Sequence, residues 1–379
     1  MDKKTTNKKN MRHGSAYDIK LLFPVLVLVG VGLIMVYSAS FTIALSKFGT
    51  DYYFLKKQAF FALAGIMLMV ACKHFPYRFY RYFAYPFIII ALAMLVAIHI
   101  KGLGYSANGA KRWLDLGYFT FQPSEFVKFS LIIYLAYSMN KKREAIKKFS
   151  VGIIPHSIIL IIFALLIYSQ PDFGTVLILC IITWTMLFVG GARIWHLLLP
   201  LIVAAPFLFF FMINSEYRLK RLISFLDPWR YAADGGYQII HSLMAFGSGG
   251  IRGAGLGKGY QKLFYLPEPH TDFIFSVVGE ELGLLGVIVI LGLYTLIIWR
   301  GTSIAKNADD AFGAFIAVGI TIALGLQICI NIGVGLGLLP AKGLTLPFLS
   351  YGGTSLLLSM AYIGVLMNIN NSGSKVEAK

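Results

Sequence analysis

Residues 265–283 read YLPEPHTDFIFSVVGEELG. Asp272 stands where a long apolar run begins, and two adjacent acids, Glu280 and Glu281, stand inside that run. A carboxylate at the mouth of a helix, beside Phe273, can be partly desolvated, which lifts its pKa toward that of a useful general base. An Asp in the same place can equally be an N-terminal cap, and its position alone allows both readings. Glu280 and Glu281 pose a different problem. At ~1.5 Å rise per residue they lie roughly 10–13 Å down the helix, where a carboxylate needs an ion-pair or hydrogen-bond partner, or a cavity. They are read as a polar core. Lys128 is the basic residue well inside another apolar run, so a Lys128 pair with Glu281 or Glu280 is expected.

Cations and hydroxyls cluster elsewhere. The stretch 104–128, GYSANGAKRWLDLGYFTFQPSEFVK, has turn formers at Asn108 and Gly109, then Lys111, Arg112 and Trp113, a set suited to a headgroup layer. It closes with Ser124, placed to cap the next helix, Glu125 in its first turn and Lys128 one turn deeper. In SEYRLKRLISFL, residues 215–226, Leu219, Leu222, Ile223 and Leu226 recur at helical spacing with Arg218, Lys220 and Arg221 between them. That pattern predicts a helix lying flat on a membrane surface. Seven glycines crowd residues 245–259, AFGSGGIRGAGLGKG. They do not make a phosphate-binding Walker loop: Arg252 occupies the first required Gly and Gly259 the Ser/Thr position. A close-approach loop beside a substrate cavity fits better, with Arg252 and Lys258 available to phosphate. Residues 331–357 set Asn331, Lys342, Ser350, Tyr351, Thr354 and Ser355 among glycines and prolines, irregular backbone that must be buried in protein or line a cavity.

The elements that must position these residues follow from composition. Of 379 residues 58% are hydrophobic and 13% charged, which describes a membrane protein. Ten apolar runs are expected at 19–44, 56–73, 83–100, 123–140, 151–169, 174–191, 194–213, 273–299, 311–335 and 346–369. They are continuously apolar, as helices are and barrel strands are not, so the fold class is all-α polytopic with a large outer loop between the seventh and eighth spans. The first run is too long for a signal peptide and lacks a small-residue cleavage site, so it is expected to remain as a span. The basic clusters before residue 13 and at 141–148 put both termini in the cytoplasm. The expected organisation is a basic tail at 1–18, one transmembrane domain at 19–370 with its outer loop at 214–272, and a tail at 371–379. No internal repeat or pair of broken helices of the transporter kind is evident. Neither Cys72, Cys180 and Cys329 nor the 7 histidines show a disulfide or metal-ligand spacing. The net charge of +17 divides between two membrane faces, which argues against nucleic-acid binding.

The segments NGAKRWLDLG, FQPSEFVK, QPDFGT, LPEPHTDFIFSVVGEELG and LPFLSYGGTS, in this order, resemble the SEDS family (shape, elongation, division and sporulation) of bacterial peptidoglycan polymerases, over about residues 15–370. Thr345 in GLTLPFLSYGG resembles the division and sporulation branches more than the elongation branch, which tends to have Pro there. The resemblance implies lipid II, an undecaprenyl-pyrophosphate disaccharide-peptide, as substrate, glycan extension at the outer face of the cytoplasmic membrane as reaction, and septal synthesis as the setting. It implies a class B penicillin-binding protein and other division or elongation proteins as partners. Asp272 matches the family's catalytic Asp, Glu125 and Lys128 its functional polar pair, Arg112 the basic residue before its Trp, and Asp172 the acid of QPDFGT. Thr354 stands where many members have Ser, and Phe264 where some division members have Glu, so a role for that Glu does not transfer.

In the reaction so implied, Asp272 takes the proton of the acceptor hydroxyl. Arg112, Lys128, Arg218, Arg221, Arg252 and Lys258 are candidates to meet the departing pyrophosphate. Lys342 and Ser350 line the opposite wall. A divalent cation, Mg or Mn, is neither required nor excluded by the residues. Alternatives are an elongation or sporulation polymerase, a flippase for the same lipid that uses Lys128 and the buried glutamates as a polar path, and a scaffold in a division complex.

Overall fold

The computed structural model describes residues 17–376 apart from 108, 118, 214, 215, 234, 264 and 341. The helices are α1 (Ile19–Phe48), α2 (Tyr53–His74), α3 (Tyr80–Ala97), α4 (Pro123–Lys141), α5 (Phe149–Gly152), α6 (Ile154–Tyr168), α7 (Phe173–Val189), α8 (Ile194–Ile213), α9 (Glu216–Leu226), α10 (Tyr237–Gly249), α11 (Ile274–Lys306), α12 (Ala311–Gly335) and α13 (Gly353–Val376). Each of the ten expected apolar runs overlaps helix, the run at 151–169 taking in the end of α5 and all of α6, and among the described residues seven helices are long and apolar enough to cross a membrane. The protein is an all-α polytopic membrane protein with one small sheet, formed by β1 (Gly104–Ala107), β2 (Ala110–Asp115) and β3 (Thr120–Phe121), antiparallel in the order β1-β2-β3. The sequence reading did not anticipate that sheet. Its first two strands are joined by a two-residue turn in which Gly109 takes φ 75, the conformation such hairpins demand.

Burial sorts the helices. In their most apolar windows α13 is 78% and α12 61% buried, against 28% for α2, so α12 and α13 form the interior and α2 faces outward on one side. Close contact inside the bundle depends on small residues. An added Cβ at Gly319 of α12 would meet Ile132 of α4 and Met186 of α7, and one at Gly364 of α13 would meet the backbone of Met69 in α2.

Two elements differ from expectation. The tenth run was expected to be helical from residue 346, but α13 begins at Gly353 and residues 346–352 are turns. Pro347 pushes Leu346 away from helical geometry, and Phe348 takes φ 66, a conformation non-glycine residues rarely adopt. Tyr294 of α11 donates to the Pro347 carbonyl at 2.6 Å and holds the segment in place. The second difference is a break in α11. Gly283 sits at φ 65 and ψ -166, so the helix carrying the paired acids is two helices end to end, where the sequence reading saw no broken helix.

The surface helix matches its pattern. α9 leaves Leu226 72% exposed, with Leu219 and Ile223 also exposed, so the protein itself does not cover this apolar edge. Arg218 and Arg221 lie on α9, but their side chains are outside the described residues.

Candidate functional site

Asp272 ends the loop that leads into α11. It is half-buried and does not cap the helix: the cap position belongs to Phe273, with no side-chain cap bond. Its backbone is gripped from two elements. Tyr351 N donates to the His270 carbonyl at 2.9 Å, Ser350 Oγ to the Thr271 carbonyl at 2.7 Å, and Asn331 Nδ2 to the Asp272 carbonyl at 3.0 Å. Ser350 Oγ also accepts from Leu346 N at 2.8 Å and is 3% exposed. The hydroxyl expected on a substrate-facing wall thus binds, in this structure, the turn carrying Asp272.

Arg112 comes from β2. Its guanidinium donates to the carbonyls of Gln170 at 3.0 Å and Pro171 at 2.5 Å, clamping the turn before α7. Asp172 caps that helix, accepting from Thr175 N at 3.2 Å and Thr175 Oγ1 at 2.8 Å, and is 5% exposed. Asp172, expected as a substrate contact, is a buried cap with both oxygens engaged. A Cβ placed on Gly343 would stand 3.5 Å from Asp272 Oδ2 and 3.6 Å from Arg112 Nη1. The carboxylate and the guanidinium thus flank one point of bare backbone, and Lys342, half-buried, is its chain neighbour. A Cβ here would make only ordinary van der Waals contacts with both groups, so the glycine marks where acid and cation come near one another.

Behind Asp272, His270 is packed between rings, 4.6 Å from Phe54 and 5.6 Å from Tyr351. Burial lowers its pKa to about 4, with Glu268 opposing and Lys47 assisting. The neutral imidazole is an aromatic wedge at neutral pH. Burial, and then the Tyr53 hydroxyl, pushes Tyr351 up to about 12.

Lys128 and the paired acids fall in two separate clusters, and the expected Lys128–Glu281 pair is not made. Lys128 Nζ bonds Glu125 Oε1 at 2.7 Å, within α4, and Gln327 Oε1 of α12 at 3.2 Å. Lys128 is 1% and Glu125 5% exposed. These two residues are therefore part of the bundle interior and bond one another there. Ser124 does not cap α4; the cap position is Gln122, with Pro123 in the first turn.

Glu281 instead meets Lys262 Nζ at 2.5 Å, Ser38 Oγ of α1 at 2.7 Å and Gly257 N at 3.1 Å. Glu280 accepts from Tyr260 N at 2.7 Å and Gln261 N at 3.1 Å. Lys262 was missed because it was assigned to the outer loop, whereas that loop folds back into the bundle and leaves Lys262 1% exposed. The available signal was the demand itself: two deep acids called for a cation, and the loop nearest in sequence offered one.

The glycine-rich loop closes the break in α11. Ala254 N donates to the Glu280 carbonyl at 2.9 Å and Gly255 N to the Glu281 carbonyl at 3.0 Å; in return Leu284 N donates to Gly250 and Leu285 N to Ile251, at 2.9 and 3.2 Å. Backbone groups that the kink strips of helical partners are satisfied this way, as burial requires. Gly253 and Gly283 face each other so closely that a Cβ on either would strike the other chain's backbone. The expected close approach is thus to the protein's own helix. Arg252 and Lys258 are exposed on this loop. Among the described residues no three His, Cys, Asp or Glu come together as a metal cage, and no step below is routed through a metal.

A bundle of membrane helices with an acid and an arginine held over a glycine at one end defines a multi-pass membrane protein with a polar site at the mouth of its helices. The family described as "Cell cycle protein", which unites FtsW, RodA and SpoVE, matches residues 19–375. The chain belongs to that family. It is 44% identical over 363 residues to "Probable peptidoglycan glycosyltransferase FtsW" of Geobacter metallireducens, covering 96% of this chain and 97% of the relative. With "Stage V sporulation protein E" of Bacillus subtilis it shares 42% over 353 residues, 93% and 96% of the two chains. Among solved structures, a chain from "Structural coordination of polymerization and crosslinking by a peptidoglycan synthase complex" superposes with TM-score 0.77 at 28% identity, covering 95% of this chain and 99% of that one. The crystal structure of Thermus thermophilus RodA superposes with TM-score 0.68 at 28% identity, covering 95% and 98%.

Proposed function

We propose that this chain joins lipid-linked disaccharide units into glycan strands, with Asp272 as the general base. The chain is a peptidoglycan glycosyltransferase of the division type. The observation that carries the proposed site is the convergence of the Asp272 carboxylate and the Arg112 guanidinium on one point beside Gly343. The substrate is lipid II. The acceptor's sugar hydroxyl gives its proton to Asp272 as its oxygen forms a bond to the donor's anomeric carbon. The bond from that carbon to the lipid pyrophosphate breaks, and the anomeric centre inverts in one displacement with no covalent enzyme intermediate. Charge grows on the departing pyrophosphate, and Arg112, fixed by two carbonyls before the substrate arrives, is a preorganised cation for it. Lys342 and the exposed Arg252 and Lys258 are the further cations of this reading, together with Arg218 and Arg221 on α9.

The site opens on the outer face of the cytoplasmic membrane with both termini cytoplasmic, as the basic clusters at 141–148 and in the amino-terminal tail support. The setting is the division septum. A class B penicillin-binding protein is the partner, and a structural neighbour that belongs to a complex coordinating polymerisation with crosslinking supports it. Transport of lipid II draws no support from the buried charges, since Lys128 is matched by Glu125 and Gln327, and Glu281 by Lys262 and Ser38.

The two activities separate in proteoliposomes holding the chain with its penicillin-binding protein. Glycan strands from lipid II with no translocation of the lipid is the expected result; translocation without strands would replace the polymerase reading by the transport one.

A further inference from the structure

Asp272 hangs from a backbone held at three successive carbonyls, and the third donor differs from the others. Tyr351 and Ser350 belong to the segment leading into α13, whereas Asn331 reaches the site from inside α12 and is 2% exposed. Its Nδ2 bonds the Asp272 carbonyl at 3.0 Å and the Leu344 carbonyl at 2.6 Å. An amide nitrogen carries two hydrogens, so one group serves both acceptors, and two carbonyls facing one amide decide which end is nitrogen. Asn331 Oδ1 is buried and accepts nothing from the described residues. A buried side chain that leaves its own acceptor unmatched carries a desolvation penalty that an apolar residue of the same shape would avoid. Packing alone therefore does not account for an Asn at this position.

Leu344 follows Gly343, the backbone point flanked by Asp272 and Arg112, and packs behind it on Gly174 of α7. The Asn331 amide thus ties the stretch of chain that carries the acid to the stretch that passes beside both acid and cation. One turn earlier on the same helix, Gln327 Nε2 donates to the Thr345 carbonyl at 3.1 Å while its Oε1 accepts from Lys128. Amides at 327 and 331 lie on one face of α12 and grip the same loop at adjacent residues.

We propose that Asn331 is a positioning residue for Asp272, setting through one amide the separation between the acid-bearing turn and the 342–344 segment. The inference rests on Asp272 being the base. Asn331 acts through that residue, so its loss displaces the carboxylate and leaves the substrate's headgroup and lipid contacts in place. Misplacement by about 1 Å is enough to cost on the order of 100-fold in rate.

The test is polymerisation of lipid II by the purified chain in complex with its class B penicillin-binding protein, comparing wild type, Asn331→Leu and Asp272→Ala. Asn331→Leu keeps the shape and removes both donors. The expected result is a kcat lower by about fivefold or more, with KM for lipid II within about threefold of wild type. If Asn331→Leu does not fold, Asn331→Ser, which retains one shorter donor, is judged by the same split. A smaller fall in kcat, or a loss carried by KM, overturns the inference. An Asp272→Ala control that still polymerises would overturn the reading of Asp272 itself, so the two failures are distinguishable.

Discussion

At the scale of single residues, the decisive feature is that each deep charge has a dedicated partner. The Lys262–Glu281 pair is the sharper case, with side chains 1% and 0% exposed. A buried pair of this kind is a poor source of net stability, but removing one member strands the other in a medium that cannot solvate it. Lys262→Met should therefore destabilise the folded protein by about 3–5 kcal/mol, read by chemical unfolding in detergent. The double variant Lys262→Met with Glu281→Leu should recover most of that loss. If both variants were equally unstable, the pair would not be the source of the effect. Sequence reading reached half of this cluster. The depth of Glu280 and Glu281 follows from helical rise and their demand for partners from electrostatics, so the acids were legible. Lys262 was not, because whether a loop returns into a bundle is a tertiary fact. Lys128 was assigned to the wrong acids for the same reason: Glu125 sits three residues away on its own helix, a local partner that satisfies it without any crossing of the bundle.

At the scale of elements, apolar runs were legible because a membrane helix must satisfy its backbone internally and cover itself with apolar side chains, a strong and continuous signal. The breaks were hidden. Gly283 lies in EELGLLG, where nothing distinguishes it from any other membrane-helix glycine, and only the loop 250–255 bonded across it reveals the kink. Residues 346–352 look like the start of a span by hydropathy, although Pro347 and the pair Gly352–Gly353 carried the correction. The break is also where substitution should be least tolerated. Gly283→Ala places a Cβ against the backbone of Gly253 at a conformation that is essentially glycine-only, costing about 1–3 kcal/mol from the backbone alone with the collision added. It should lower the thermal midpoint in detergent well below that of Gly292→Ala in the same helix, where an added Cβ meets nothing within 4 Å. Equal midpoints for the two variants would mean that the kink is not fixed by Gly283.

At the scale of the whole molecule, fold and site follow a division of labour. The bundle interior, α4, α12 and α13, holds buried polar contacts that close on themselves, while the end carrying Asp272 gathers a strand, a helix cap, a loop and a helix around one bare glycine. Composition made the membrane class legible and the ordered motifs made the family legible. The internal hydrogen bonds of Asp172 and Ser350 were not, because a side chain bonded inside a turn and one facing outward read the same in a string of letters. The half-buried polar set at this end is small, Asp272 with Arg112 and Lys342 around Gly343. The measurement that bears on it most directly is glycan strand synthesis from purified lipid II by this chain with its penicillin-binding protein, comparing wild type with Asp272→Asn at matched folding. Asn keeps the shape of the side chain and removes the base. Long strands from wild type and a loss of about 100-fold or more in the variant, the scale of a general base, is the predicted result; an Asp272→Asn protein that is folded and polymerises at the wild-type rate would contradict the account.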